Sequence, residues 1–288
     1  MQDYVIFSDS ACDVSEETLK EWQVEYKNLY FNFTDEDHMY ENYDMAFPDF
    51  YKRMREGGVA KTSAINMDDY QRALRPILES GKDVLLLAFS SGLSATAQNA
   101  MAAAEELREE FPERTILVVD TLCASAGQGL FVYLVVKKRD AGASLQEAYD
   151  YALSIRPNLC HWFTVDDLVY LKRGGRISST SALVGSILDI RPVLHVDDEG
   201  HLINMSKARG RKKSIMALVD KYEETALDPE NGTVFISHAD CKEDAEALAA
   251  ILKRRCNQEV DSISDIGPVI GAHSGPGTLA LFFLGSKR

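Results

Sequence analysis

The stretch DVLLLAFSSGLS, at positions 83–94, is the segment of this sequence that says most about its architecture. Residues 84–89 are all apolar, and a continuous apolar run of this length is typical of a strand buried on both faces in a parallel sheet. A polar turn follows, and then the alanine-rich run 95–104, whose composition favours a helix. A buried strand, a turn and a helix in this order indicate an α/β domain.

Two further segments in the first half of the chain have the same order of elements. Residues 4–7 form an apolar run, and Ser15 lies where it can cap a helix that has two glutamates in its first turn. Residues 115–119 form a third apolar run, which precedes a helical pattern that carries Leu130 and Leu134. Together the three units predict a parallel sheet covered by helices on both faces.

The pattern changes near Pro157. Residues 190–196 and 201–206 flank a polar turn, which is a hairpin signal and predicts antiparallel pairing. We therefore predict an α/β fold in two domains, an N-terminal parallel-sheet α/β domain at 1–157 and a C-terminal mixed α+β domain at 158–288. The other elements predicted in the second domain are strands at 160–166 and 233–238 and helices at about 211–226 and 242–256.

Composition and charge limit the classes of partner. The chain has 288 residues, of which 45 are acidic and 31 are basic, so its formal net charge is -14 at pH 7. Nucleic-acid binding requires clustered lysine and arginine, and anionic membrane surfaces attract basic proteins. The sequence therefore disfavours both partners, and small molecules and other proteins remain.

The cysteine spacing and the lack of long apolar segments indicate a reduced, cytoplasmic protein. The five cysteines are scattered without a CxxC pair, which favours neither a disulfide framework nor a zinc site. The N-terminal residues lack a basic n-region, and no stretch approaches the ~20 apolar residues of a membrane span. We expect no metal, no cofactor and no stable membrane insertion.

Hydroxyl side chains cluster where the predicted strands give way to helices. In parallel sheets ligands bind at these ends, where helix N-termini favour anions. Helix capping explains the same hydroxyls equally well. No phosphate-loop lysine accompanies them, however, and hydroxyl donors suit a carboxylate better than a triphosphate. The clusters are Thr62 and Ser63, before a helical pattern that starts near Asp68, and Ser90, Ser91 and Ser94, in the turn of the segment 83–94.

Glycine-rich segments add a candidate histidine. The GQG at 127–129 is a weak dinucleotide signal, because a third spaced glycine is missing. The segment GAHSGPG at 271–277 is more specific, since glycines on both sides of His273 let the backbone approach closely and present the ring into a cleft. The alternative is a histidine whose hydrogen bonds are satisfied within a turn.

With these segments on one chain, the sequence resembles the DegV family from end to end. Each motif alone is weak, but their order and spacing together are specific. The motifs are DSACD at 9–13, KTS at 61–63, SSGLS at 90–94, DT at 120–121, YLKRGGRI at 170–177, KAR at 207–209 and the glycine-rich segment 267–277.

The resemblance implies a carrier that binds one long-chain fatty acid, such as palmitate, buried in a tunnel between the two domains, with segment 265–288 returning to this site. It implies no enzymatic activity of the chain itself. In several family members the acid is presented to a separate ATP-dependent fatty acid kinase subunit, which makes an acyl phosphate. By motif position the resemblance assigns the carboxylate end to Thr62, Ser94, Arg209 and His273, with Ser63, Ser91 and Gly92 beside them.

Two departures from the family pattern lie next to these hydroxyls. Ala64 and Ile65 stand where the family usually has Gln and Pro, and Ala95 and Ala97 follow Ser94 where the family favours Gly and an aromatic residue. The hydroxyls are retained, so these differences bear on acyl-chain preference, and the sequence leaves chain length and unsaturation open.

Simple energetics support a carrier of this kind. Burial of about fourteen methylenes at ~0.8 kcal/mol each gives roughly 11 kcal/mol before the costs of binding. The carboxylate opposes binding, because an unpaired buried charge costs several kcal/mol. Hydroxyl donors at Thr62 and Ser94, a helix N-terminus and a basic side chain at Arg209 or His273 would offset that cost.

Two enzymatic alternatives stay open at this point. A serine-type acyl hydrolase would use a serine with His273 and an aspartate, although the GxSxG elbow is absent from the sequence. A nucleotide-dependent kinase or transferase domain would need a phosphate loop, and the GxxxxGK pattern is absent as well. A scaffold protein would not need hydroxyl clusters at the ends of its strands.

Overall fold

The structure, a computed structural model, describes residues 4–177 and 189–288. Strands and helices alternate through the first half of the chain. In chain order these elements are β1 (Tyr4–Asp9), α1 (Glu16–Glu21), β2 (Val24–Lys27), β3 (Tyr30–Phe33), β4 (Tyr40–Glu41), α2 (Phe47–Arg55), β5 (Ala60–Ser63), α3 (Met67–Glu79), β6 (Asp83–Ala88), α4 (Thr96–Glu110), β7 (Ile116–Asp120), α5 (Ala126–Asp140) and α6 (Leu145–Ile155).

The second half contains longer antiparallel strands and fewer alternations. A short 3-10 turn at Arg156–Asn158 separates it from the first half. Its elements are β8 (Leu159–Thr164), α7 (Val169–Arg173), β9 (Ile190–Val196), β10 (Leu202–Arg209), α8 (Arg211–Thr225), β11 (Phe235–His238), α9 (Lys242–Cys256), β12 (Ser262–Asp265), α10 (Pro268–Ser274) and β13 (Leu279–Leu284).

A four-stranded parallel sheet in the order β2-β1-β6-β7 forms the N-terminal part, which confirms the predicted α/β class. All six residues of β6 are buried, because this strand has a neighbour on each side and helices over both faces. The alanine-rich run forms α4, whose buried alanines allow close packing on the sheet. At the carboxyl edge Asp9 joins two strands and a helix, since its carboxylate accepts from the Phe89 N–H at 2.8 Å and from Gln128 at 3.1 Å.

A second, antiparallel sheet in the order β4-β3-β5 is present in the same half, and the sequence patterns did not predict it. Its strands have only two to four residues, so they are too short to give a clear alternation signal. Phe31 and Phe33 of β3 are buried against Phe50 of α2. Thr62 and Ser63 therefore lie on a strand, β5, and not in a loop before a helix.

The C-terminal part is a six-stranded mixed sheet in the order β10-β9-β8-β13-β11-β12, as expected for a mixed α+β arrangement. β9 and β10 form the predicted antiparallel hairpin around the turn 197–200, and β10 continues to Arg209. β13 pairs antiparallel with both β8 and β11, so it occupies the middle of the sheet.

One hydrophobic core crosses the predicted domain boundary. Leu85 of the parallel sheet, Leu130 and Val135 of α5, and Phe163 and Phe282 of the mixed sheet belong to the same buried cluster. The division at residue 157 stays a prediction. Within the described ranges 4–177 and 189–288, no helix is long and apolar enough to cross a lipid bilayer.

Candidate ligand-binding site

A cavity of about 280 Å³ lies where the two large sheets meet. Residues that follow β6 and β7 line it together with residues of β8, β13 and α10. This position agrees with the general rule that ligands bind beyond the carboxyl ends of parallel strands. Most of the wall is apolar, as in most sites for small molecules. The larger apolar side chains of the wall are Leu29, Phe89, Leu93, Phe163, Leu171, Val196, Leu202, Ile266, Val269, Ile270 and Phe282.

The cavity also has a polar part, where α10 approaches β5. The Nε2 atom of His273, on α10, lies 2.7 Å from the Oγ1 atom of Thr62, on β5. Both side chains line the cavity. This hydrogen bond links two residues that are 211 positions apart in the sequence. Through α10, the segment after residue 265 thus contacts the N-terminal half of the chain.

The His273 ring is neutral at physiological pH. Burial, and in addition the positive charge of Arg176, lowers the pKa of His273 to about 4. The Nδ1 atom has no hydrogen-bond partner in the described part of the chain and faces the Cα atom of Gly174. A Cα–H group can donate weakly to a bare nitrogen but clashes with an N–H, which favours the tautomer protonated at Nε2. His273 then donates to Thr62, whose own hydroxyl hydrogen is left for an acceptor in the cavity.

Ser94 lines the cavity where α4 begins. Its Oγ atom accepts a hydrogen bond from the backbone N–H of Thr96 at 3.3 Å and lies 2.8 Å from the Thr96 hydroxyl. The 15 residues of α4 add a partial positive charge at this end of the helix. A negatively charged group beside Ser94 would therefore be stabilised by both the hydroxyl groups and the helix terminus.

Arg176 is the charged side chain of the wall. Its guanidinium donates to the Leu93 carbonyl at 2.9 and 3.1 Å and to the Gly174 carbonyl at 2.5 Å, so it is fixed between the turn before α4 and the turn after α7. Burial lowers the pKa of Arg176, but a guanidinium remains charged in proteins. Three of its five N–H donors make these bonds, and the other two have no partner within the described residues.

The structure brings four of the seven predicted ligand-binding residues to the cavity wall, namely Thr62, Ser63, Ser94 and His273. Ser91 and Gly92 lie in the same turn as Ser94 but contribute to packing. The Ser91 N–H donates to Asp120, and a Cβ atom on Gly92 would lie 2.7 Å from the backbone of Gly200 in the β9–β10 turn. Their ligand-binding role receives no support from this geometry.

Arg209 does not reach the cavity. It is exposed at the end of β10, where it pairs in register with Ile190. Arg176, and not Arg209, is the arginine that the structure places on the cavity wall. The available signal was the GGRI segment at 174–177, in which glycines let the chain approach closely beside an arginine.

Ser125 is a further polar residue of the cavity wall, and it was not predicted from the sequence. Its backbone has φ 55° and ψ -152°, a combination that residues other than glycine rarely adopt. Its hydroxyl donates to Asp13 at 2.6 Å and lies 2.9 Å from the Ser237 hydroxyl, while Asp13 also accepts from the Gly267 N–H at 2.9 Å. Burial raises the pKa of Asp13 to about 8.

The arrangement differs from that of a serine hydrolase or a metal site. Among the described residues no carboxylate hydrogen-bonds the His273 ring, so the orienting member of a Ser-His-Asp triad is not at this histidine. In residues 4–177 and 189–288, no group of three His, Cys, Asp or Glu side chains is arranged to hold a metal ion. The geometry is that of an apolar cavity with anion-binding groups at one part of its wall.

This fold and this cavity define a class of α/β proteins with an apolar site where two large sheets meet. The chain belongs to the DegV family, because the family model described as "Uncharacterised protein, DegV family" matches residues 3–286. It is 42% identical over 290 residues to a DegV domain-containing protein of Clostridium perfringens, and the match covers 100% of this chain and 99% of the relative.

Two solved structures are similar over almost the whole chain. A DegV lipid-binding protein from Thermotoga maritima has a TM-score of 0.86 and 31% identity, with 99% of each chain covered. A DegV family protein from Thermus thermophilus, whose structure is described as one of fatty acid binding, has a TM-score of 0.87 and 29% identity, with 99% of this chain and 100% of that chain covered.

Proposed function

We propose that this protein binds one long-chain fatty acid, with the acyl chain in the apolar cavity and the carboxylate beside Thr62, Ser94, His273 and Arg176. The observation that carries the proposal is the combination of an apolar wall with hydroxyl and guanidinium donors at one part of it. An apolar tail with an anionic head is the ligand chemistry that matches both features.

Each donor reduces the free-energy cost of burying the carboxylate. Hydrogen bonds to a charged group contribute about 1.5–3 kcal/mol each, whereas an unpaired buried charge costs several kcal/mol. With His273 protonated at Nε2, the ring donates to the Thr62 oxygen and leaves the Thr62 hydroxyl free to donate. Arg176 supplies a positive charge, and the N-terminus of α4 adds a partial one. The acyl chain contributes about 0.8 kcal/mol per buried methylene.

The similarity to the lipid-binding protein of Thermotoga maritima and the fatty-acid-binding protein of Thermus thermophilus supports this proposal. Both are more than 25% identical to this chain and match it nearly from end to end.

The protein acts as a carrier that presents the bound acid to an ATP-dependent fatty acid kinase subunit. This part of the proposal rests on the family resemblance and on the absence of a GxxxxGK phosphate loop from the sequence. It is tested by incubating the loaded protein with ATP, alone and with a fatty acid kinase subunit. Acyl phosphate is expected only in the combined reaction, and its formation by the carrier alone would contradict the carrier role.

The binding proposal is tested by native mass spectrometry of the purified protein, followed by denaturation and identification of the released lipid. We expect one fatty acid per chain. A protein that is lipid-free and also fails to bind added palmitate and oleate would refute the proposal. Hydrolysis of an acyl ester or stabilisation by ATP would then support the hydrolase or the nucleotide-dependent alternative.

A further inference from the structure

A second cavity, of about 580 Å³, is a groove that follows the edge of the mixed sheet. All four residues of β12, Ser262–Asp265, line it. Because β12 contributes all of its residues, the groove runs along the length of this strand. β12 is the last strand in its sheet and pairs only with β11 among the described strands. Such an edge offers backbone donors and acceptors to another strand.

The groove is acidic. Glu16 and Glu17 of α1 and Asp265 of β12 contribute carboxylates, and no lysine, arginine or histidine is among the described residues that line it. Outside the lining, the His238 ring lies 3.5 Å from Asp265, and burial lowers the pKa of this histidine, so that it is neutral at physiological pH. Asp13, at the base of the groove, hydrogen-bonds Ser125 of the first cavity.

Aromatic rings form another part of the same groove. Trp22, Tyr43, Phe47 and Phe235 line it, and the rings of Tyr43 and Phe47 stack with their centroids 6.2 Å apart. Aromatic faces attract cations, and the attraction grows when carboxylates lie nearby. Ile263, two positions before Asp265 on β12, is 39% exposed and offers an apolar contact to a bound segment.

We propose that this groove binds an extended basic segment of a partner protein, which adds to the mixed sheet alongside β12 and inserts lysine or arginine side chains between the acidic and aromatic residues. The open edge favours a peptide over a small organic cation. Four strand residues extend over about 13 Å, which a single ammonium group would not fill. Backbone hydrogen bonds to a sheet edge, combined with side-chain pockets, are an established mode of peptide recognition.

The experiment uses the purified 288-residue protein and a short peptide of alternating lysine and valine, titrated by isothermal calorimetry. We expect saturable binding, and about tenfold weaker binding to the Glu17→Gln/Asp265→Asn double variant. Both residues are exposed, so the fold should be retained. The matched control is Glu105→Gln/Glu109→Gln on α4, which removes the same charge at exposed positions outside the groove and should leave binding unchanged.

Two altered peptides test the strand geometry. A glutamate–valine peptide should not bind, and a lysine–proline peptide, which keeps the charge but lacks half of its backbone donors, should bind at least about tenfold more weakly. Equal binding of the lysine–valine and lysine–proline peptides would overturn the proposal, as would equal weakening by the two double variants or no binding at all. Displacement of the peptide by tetramethylammonium would identify a small-cation pocket and would also overturn it.

Discussion

The backbone of Gly174 lies directly against the imidazole of His273. A Cβ atom at position 174 would be 2.1 Å from the Nδ1 atom, which is closer than real Cβ contacts. The backbone of Gly174 has φ -72°, a value that any residue can adopt. Glycine is therefore needed at position 174 to leave space for the histidine ring, and not because of its backbone conformation. The turn after α7 thereby fixes the position of the ring that contacts Thr62.

We expect Gly174→Ala to push the His273 ring away from Thr62 and to weaken fatty-acid retention at least about tenfold. The measurement is the dissociation constant of a fluorescent fatty acid. Gly175→Ala is the matched control, because Gly175 has φ 72° with no atom near the added Cβ. That variant should lose roughly 1 kcal/mol of stability and keep its ligand. Equal retention in both variants would contradict the role of Gly174.

Removal of the two hydroxyls tests the carboxylate site. The Thr62→Ala/Ser94→Ala variant should retain fatty acid at least about 100-fold less well, because two hydrogen bonds to a charged group are lost. Thr62→Ser with native Ser94 keeps both hydroxyls and should retain lipid normally. The readout is the amount of fatty acid that copurifies, with circular dichroism as the test of folding. Undiminished lipid in the double variant would refute this assignment.

Arg176 and Arg209 provide a direct comparison between the structural and the sequence assignments. Arg176→Met should weaken fatty-acid binding about tenfold or more, since it removes the positive charge from the cavity wall. Arg209→Met removes the same charge from an exposed position and should leave the binding constant unchanged. Calorimetric titration of delipidated protein with palmitate measures both. A larger loss in Arg209→Met would favour the sequence-based assignment.

The buried Asp13 carboxyl should make stability depend on pH. Its pKa is about 8 in the folded protein, whereas it is about 3.9 in an unfolded chain. Between these values the folded state binds more protons than the unfolded state, so stability falls as pH rises, by up to about 1.4 kcal/mol per pH unit. Asp13→Asn should lack this contribution.

Urea unfolding between about pH 6.5 and 8 isolates the effect of Asp13. The pKa of Asp9 is raised only to about 6, so that carboxyl is largely ionised in this window. The buried His195 and His273, each with a pKa of about 4, are neutral there in the folded state but take up protons when the chain unfolds, so they make stability rise with pH in both proteins. The histidines contribute equally to both proteins, so the difference in the free energy of unfolding between the native protein and Asp13→Asn should fall as pH rises. Parallel curves would contradict the raised pKa.

The sequence predicted the elements whose signals are local. The strand β6 follows from an uninterrupted apolar run, and the β9–β10 hairpin follows from two apolar runs around a polar turn. The helices α8 and α9 begin and end within a residue or two of their predicted bounds. The β4-β3-β5 sheet was not predicted, because strands this short are determined by the burial of Phe31 and Phe33 against α2.

The candidate site was predictable only in part, for a related reason. Thr62, Ser94 and His273 belong to recognisable motifs, and all three line the cavity. The choice between Arg176 and Arg209 depends on how the turn after α7 and the strand β10 are oriented in space, which neither motif encodes. The hydrogen bonds of Ser125 likewise could not be predicted, because Asp13 and Ser237 each lie 112 residues away along the chain.

The central position of β13 in the mixed sheet bears on how the protein is made. Residues 279–284 pair with β8 on one side and β11 on the other, and Ala280 and Phe282 line the cavity. A nascent chain on the ribosome therefore has an open gap between β8 and β11 until residue 284 has emerged. Until then the apolar faces of α5 and β8 lack part of their cover, and exposed apolar surface of this kind promotes aggregation of folding intermediates. The cavity that we propose for the fatty acid is therefore complete only after this segment has been translated.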